Sequence, residues 1–179
     1  MNVYFTSDLH FGHKNIIRYD HRPFSSVQEM DAELIRRWNN KVKDEDLVYI
    51  LGDVSWYNHS KTCELLDQMK GKKCLIQGNH DRFNKDVLSR FIDVRPYAEL
   101  KMNGNRIILC HYPIMFFNGQ HHGACMFYGH VHNSYEWTLL EQMREKFLKT
   151  GKPCNMYNVG TMLWNYEPVS FEEITGARA

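Results

Sequence analysis

Side chains that can donate lone pairs recur in five short clusters: Ser7-Asp8-Leu9-His10, Leu51-Gly52-Asp53, Gln77-Gly78-Asn79-His80-Asp81, the single His111, and Gly129-His130-Val131-His132. Carboxylate oxygen and imidazole nitrogen without thiolate suit Mn, Fe, Co, Ni or Zn better than a soft metal or an all-oxygen Ca or Mg site. Each cluster alone carries little. D-x-H and H-x-H arise by chance, and an aspartate after a strand is commonly a turn former or cap. Taken together, Asp8, His10, Asp53, Asn79, His111, His130 and His132 exceed the three or four ligands of a mononuclear site. The excess points to two divalent cations that share one bridging carboxylate.

Charge counting supports that chemistry. Two divalent ions bring +4, Asp8 and Asp53 remove two, and a bridging hydroxide removes one more. The remainder of about +1 suits an anionic phosphate and leaves the ions acidic enough to ionise water near neutral pH. Two metals a few ångström apart can clamp both the attacking and the leaving oxygen in phosphoryl transfer.

The clusters fall where strands should end. Apolar, β-branched and aromatic runs predict strands at Val3 to Thr6, Leu47 to Leu51, Cys74 to Gln77, Arg106 to Cys110, Ala124 to Tyr128 and Asn155 to Val159. Leu100-Lys101-Met102 and the turn Asn103-Gly104 predict a hairpin with Arg106 to Cys110. Pro168 to Phe171 is expected to add an edge. Val27, Met30, Leu34, Ile35, Trp38 and Val42 recur at helical spacing after caps at Ser25 or Ser26. Leu65, Leu66 and Met69 mark a helix ended by Gly71; Leu139, Leu140, Met143, Phe147 and Leu148 mark another, capped by Ser134 and stopped by Gly151. The order predicts a mixed α/β sheet domain whose ligands bind beyond the carboxyl ends of the strands.

Composition narrows the function classes. The 179 residues fit a single domain, 1–179, with 43% hydrophobic and 24% charged residues. A net charge of +1 provides no global field for nucleic acid or membrane. No apolar run has the length of a membrane span, and the start lacks the pattern of a signal peptide. Five unpaired-looking cysteines, none in a C-x-x-C pair, predict small buried hydrophobes in a reducing cytoplasm.

Asp8-Leu9-His10, Gly52-Asp53, Gly78-Asn79-His80-Asp81, His111 and Gly129-His130-Val131-His132 together resemble the ordered motif set of the calcineurin-like metallophosphoesterase superfamily. The segments Phe5 to Ile17 and Asn158-Val159-Gly160 are similar to those of its small, stand-alone bacterial and phage members. The resemblance implies a four-layer α/β/β/α sandwich with a dinuclear site at one end of the sheets. It implies that Asp8, His10, Asp53 and His132 hold one metal, with Asp53 bridging to a second completed by Asn79, His111 and His130. Manganese heads the candidate ions, followed by Fe, Ni, Co and Zn. His80, outside the ligand count, has the family role of assisting the leaving group while a metal-bridging hydroxide attacks phosphorus in line.

The neighbours divide between substrate and structure. Asp81 is expected either to orient His80 or to tie down its loop. His13 and Arg82 are candidates for substrate contact, Asn15 for capping a short Ile16-Ile17-Arg18 helix. His121 and His122 read as solvent-facing or near substrate, His21 and His59 as surface or capping residues. The aromatics of Tyr112 to Phe117 read more readily as a local core than as a stacking pocket, and so do Trp164 and Tyr166. Val54-Ser55-Trp56-Tyr57 replaces the Asp-Arg-Gly extension of the protein serine/threonine phosphatases. The expected substrate is therefore a small phosphate mono- or diester. A nuclease acting on nucleic-acid ends is second, disfavoured by the near-neutral charge, and a silent protein-binding scaffold third. Oligomeric state is left open.

Overall fold

The computed structural model describes residues 1–102 and 104–176 and places two sheets face to face between helices. Asn103, half of the expected hairpin turn, lies outside the described residues.

The first sheet holds β1 (Val3–Thr6), β2 (Leu47–Ile50), β3 (Lys72–Ile76), β4 (Asp93–Arg95) and β9 (Val169–Ser170) in the order β4-β3-β2-β1-β9. All are parallel except β9, which runs antiparallel along β1. The second sheet holds β5 (Tyr97–Met102), β6 (Asn105–Cys110), β7 (Cys125–Tyr128) and β8 (Asn155–Asn158), in chain order. Strand β5 pairs antiparallel with β6, and the other pairs are parallel.

Period-two alternation builds the layers. Phe5, Leu51, Ile76, Ile107, Leu109, Cys125 and Phe127 point inward and form one cluster between the sheets. Tyr4, Val48, Ile50 and Leu75 point outward to α2 (Val27–Lys41) and α3 (His59–Gln68), meeting Met30, Leu34, Trp38, Leu65 and Leu66. On the opposite face Ile108, Met126 and Tyr128 meet Leu140 and Phe147 of α5 (Tyr135–Lys149). The result is the α/β/β/α sandwich.

Helix ends follow their capping chemistry. Ser26 caps α2 by accepting from Glu29 N–H, and Ser134 caps α5 by accepting from Glu136 N–H. Among the short elements not expected are β4, α4 (Lys85–Leu88) and α6 (Phe171–Thr175). Phe171 leaves the predicted edge strand because Ser170 and Glu173 form a reciprocal capping box that starts α6. Asn15 is not the expected cap. It lies exposed inside α1 (Lys14–Tyr19), and His13 occupies the cap position without a side-chain bond.

Four of the five cysteines are buried, Cys110 is intermediate, and all are free. Among the described residues no helix is long and apolar enough to cross a membrane.

Candidate metal centre

Parallel pairing brings the carboxyl ends of β1, β2 and β3 to one rim, and those of β6 and β7 to another. The rims are joined just past the strands. Ser7 N–H donates to Val159 O, Val159 N–H to Tyr128 O, and Thr161 N–H to Ser7 O. Asp8, His10, Asp53, Asn79, His111, His130 and His132 all leave these rims, and the structure brings them together.

The backbone is strained where these residues turn inward. Eight non-glycine residues have positive φ among those described, and five are Asp8 (57°), His10 (54°), Asp53 (55°), His130 (69°) and His132 (49°). Such conformations cost about 1–3 kcal/mol each and persist where the surroundings over-determine them. Gly52 shows the crowding. A Cβ there would come within 2.5 Å of His111 Nδ1, so the motif glycine lets the chain leaving β2 pass that ring.

Two triads of donor atoms result, Asp8–His10–His132 and Asp53–His111–His130, each with its atoms within 4.8 Å of one another. Asp53 stands between them: its Oδ2 is 3.8 Å from His10 Nε2 and 3.6 Å from His111 Nε2. Asn79 Oδ1 lies 3.0 Å from His111 Nε2. Asp8 Oδ1 is 3.5 Å from His132 Nε2, while its Oδ2 accepts from Ser7 Oγ at 2.6 Å and from His130 N–H at 3.1 Å.

The hydrogen bonds behind the rings fit a pair of divalent cations at two of the histidines. His111 donates from Nδ1 to Leu51 O at 2.7 Å, and His132 from Nδ1 to Asp20 Oδ1 at 2.8 Å, which leaves each Nε2 a lone pair. Burial pushes the His10 and His130 pKa values down, with neighbouring imidazoles adding to the effect. Both shifts favour the neutral ring, the form a metal needs. Burial also disfavours charge on His132, but its bond to Asp20 and the field of Asp8 outweigh it and raise its pKa.

Three residues that the sequence reading passed over support this centre. Asp20 orients His132, and Arg22 holds Asp20 while donating to Asp8 O at 2.8 Å and Leu9 O at 3.0 Å. Trp56 donates from Nε1 to His10 Nδ1 at 2.9 Å. Asp20 and Arg22 lie in no cluster of metal-ligand type, and their only signal is a charged pair just after a helical segment. Trp56 is visible only as a departure from the phosphatase motif.

The remaining candidates separate clearly. Asp81 is buried and spends its carboxylate on the N–H groups of Asp53, Val54 and Gly78, at 2.9, 2.9 and 2.8 Å. Burial raises its pKa, partly opposed by these bonds. These bonds tie down the loop, the second of the two roles expected of Asp81. His80 is exposed, its N–H on Asp53 Oδ1 at 3.1 Å and its ring 4.6 Å from the indole of Trp56. His13 stacks against the same indole, at 4.2 Å and 12°.

His10, His13, Trp56, Asn79, His80 and His132 border a cleft of about 530 Å³, with His21 also on its wall. Arg82 borders an adjoining cleft with Trp56, His80 and Phe83, and His59 Nε2 lies 3.2 Å from the Arg82 carbonyl. His121 and His122 line a separate cleft with Lys101 and Arg106, away from the donor triads. Tyr112 packs on His130 at 4.5 Å, whereas Phe117 is buried in the outer cluster. Trp164 and Tyr166 pack in the core.

Residues 1–163 match the family described as the calcineurin-like phosphoesterase superfamily domain. The chain belongs to this superfamily. It is generally a family of phosphoester hydrolases dependent on two metal ions, and the two triads are candidate sites for them. An uncharacterised protein of Methanocaldococcus jannaschii, MJ1445, is 35% identical over 176 residues, covering 96% of this chain and 88% of that protein. The Gene 66 protein of Mycobacterium phage L5 is 40% identical over 83 residues, 45% of this chain and 40% of its own length. Among solved structures, the protein of unknown function AQ665 from Aquifex aeolicus superposes with a TM-score of 0.73 at 26% identity, over 96% of both chains.

Proposed function

We propose that this superfamily member is a metal-dependent hydrolase of a small phosphate mono- or diester. The observation that carries the reading is Asp53, whose Oδ2 faces a histidine nitrogen of each donor triad. Asp8, His10, His132 and Asp53 would hold one divalent cation; Asp53, Asn79, His111 and His130 would hold the second. Manganese is the first choice, with Fe, Ni, Co or Zn as alternatives. Bound there, the pair would activate water as a nucleophile near neutral pH and draw charge from the phosphoryl oxygens.

The chain's own groups do the rest. His80, open to the cleft and steadied by Trp56, protonates the leaving oxygen. Asn79, next to His80, orients the phosphate from the side of the second triad. Asp81 fixes the loop from which both project. Arg82 and His13, each on a cleft wall shared with Trp56, contact the substrate, Arg82 as a charged donor to a phosphate oxygen. A small ester is favoured over a nucleic acid, because a net charge of +1 supplies little salt-dependent attraction for a polyanion.

The test is hydrolysis of p-nitrophenyl phosphate and bis-p-nitrophenyl phosphate after chelation and re-addition of Mn, Ni, Co, Zn or Mg. Turnover restored by metal is expected, and the faster ester assigns the class. Folded protein that turns over neither ester nor a panel of nucleotides with any metal would contradict the reading.

A further inference from the structure

A run of close polar contacts leads from Trp56 through His10 and His132 to Asp20. An indole nitrogen can only donate, so Trp56 Nε1–H donates a hydrogen bond to His10 Nδ1 at 2.9 Å. His10 Nδ1 is then an acceptor, and the neutral ring carries its proton on Nε2. That Nε2 lies 3.2 Å from His132 Nε2. His132 in turn holds a proton on Nδ1, 2.8 Å from the Asp20 carboxylate. Arg22 closes the run by donating to Asp20 Oδ2 at 3.0 Å.

Ligation by His10 requires the opposite tautomer. Its Nε2 faces Asp53 and His132, so a cation held in the first triad would take the Nε2 lone pair. The ring proton must then leave Nε2 for solvent while another arrives at Nδ1, with no change in the ring's charge. Nδ1–H would meet Trp56 Nε1–H, two donors with no acceptor between them. His111 needs no such change, since its Nδ1 already faces the Leu51 carbonyl.

The indole is also the packing partner of two other rings. His13 lies 4.2 Å from it and His80 4.6 Å, and the tryptophan is 48% exposed, so its N–H has water to turn to.

We propose that Trp56 is a positioning residue that couples cation loading at His10 to the placement of His80. Loading expels the indole N–H from His10, and the indole re-seats His13 and His80 as it turns. This inference rests on the ligand role proposed for His10.

The experiment is a titration of the ¹⁵N-tryptophan-labelled chain with Zn²⁺, which is diamagnetic, followed by the indole N–H resonances. Trp56→Phe identifies the Trp56 signal, and Trp38, whose N–H is held by Lys70 O, serves as the internal reference. Calorimetry of wild type and Trp56→Phe with Zn²⁺ runs alongside. The Trp56 resonance is expected to move with zinc occupancy while that of Trp38 stays. Trp56→Phe keeps a ring but lacks the opposing N–H, so it should bind zinc about 3- to 10-fold more tightly, the worth of one net hydrogen bond. Zinc uptake with an unmoved Trp56 resonance, or with no gain in Trp56→Phe, overturns the coupling and leaves the ligand assignment standing. No zinc uptake by the folded chain overturns both.

Discussion

His132 and Asp20, separated by 112 positions in the chain, meet with Nδ1 and Oδ1 2.8 Å apart, and the contact fixes which nitrogen of His132 is free. A carboxylate behind a histidine sets its tautomer and makes its other nitrogen a better donor. Asp20→Asn keeps the shape and removes the charge. It should weaken metal binding by about 10- to 100-fold, measured by calorimetry, with a native circular-dichroism spectrum. Unchanged affinity would detach Asp20 from the centre.

Arg22 is fully buried at its side chain and pairs with Asp20 at 2.9 Å. Removing one partner of a buried pair leaves the other charge unpaired and costs roughly 3–5 kcal/mol. Arg22→Met should therefore lower the unfolding midpoint strongly in chelator. The double variant Asp20→Asn/Arg22→Met should lose less than the sum of the single changes, because the stranded carboxylate is gone. Additive losses would mean that the two side chains act independently.

His80 touches no donor atom of either triad by its ring, and only its backbone N–H reaches Asp53. His80→Ala should lower kcat by about 10²- to 10⁴-fold, the usual share of a general acid. Bound metal, read by elemental analysis, should remain. An ester with a good leaving group should be less affected than an alkyl ester, which needs the proton more. Equal losses on both would remove His80 from leaving-group protonation.

Stability should also depend on pH through Asp46. Its carboxylate accepts from Asn2 N–H at 2.7 Å and Lys43 N–H at 3.0 Å, tying the start of β1 to the loop before β2. These backbone donors hold its pKa below the ordinary carboxylate value of 3.8. The folded state therefore favours the charged form. The resulting stability is complete above the unfolded pKa and is lost as pH falls through the lower folded one. Asp46→Asn should be less stable than wild type at pH 7, and the gap should narrow below about pH 4. A gap independent of pH would assign the effect to packing.

Much of the centre was legible because its chemistry is written locally. Asp8, His10, Asp53, Asn79, His111, His130 and His132 each follow a run predicted as a strand, and parallel pairing gathers the ends of those strands. The supporting residues were not legible for the converse reason. Asp20 reaches His132 and Arg22 reaches the carbonyls of Asp8 and Leu9 through contacts that depend on how the loop after α1 folds back. Asp81 looked equally suited to His80 and to the loop, and three backbone donors decided between them. The short elements β4, α4 and α6 were missed because three to five residues carry too little periodicity to register.

Metal content set against turnover tests the central claim most directly. Wild type and Asp53→Ala, each stripped by chelator and reloaded with Mn²⁺, would be assayed by elemental analysis and by hydrolysis of the preferred nitrophenyl ester. Wild type should take up two ions per chain and turn over, and Asp53→Ala should lose both uptake and turnover because the shared carboxylate is gone. Turnover by Asp53→Ala at the wild-type rate, or wild-type activity indifferent to chelation, would contradict a hydrolase built on two cations bridged by Asp53.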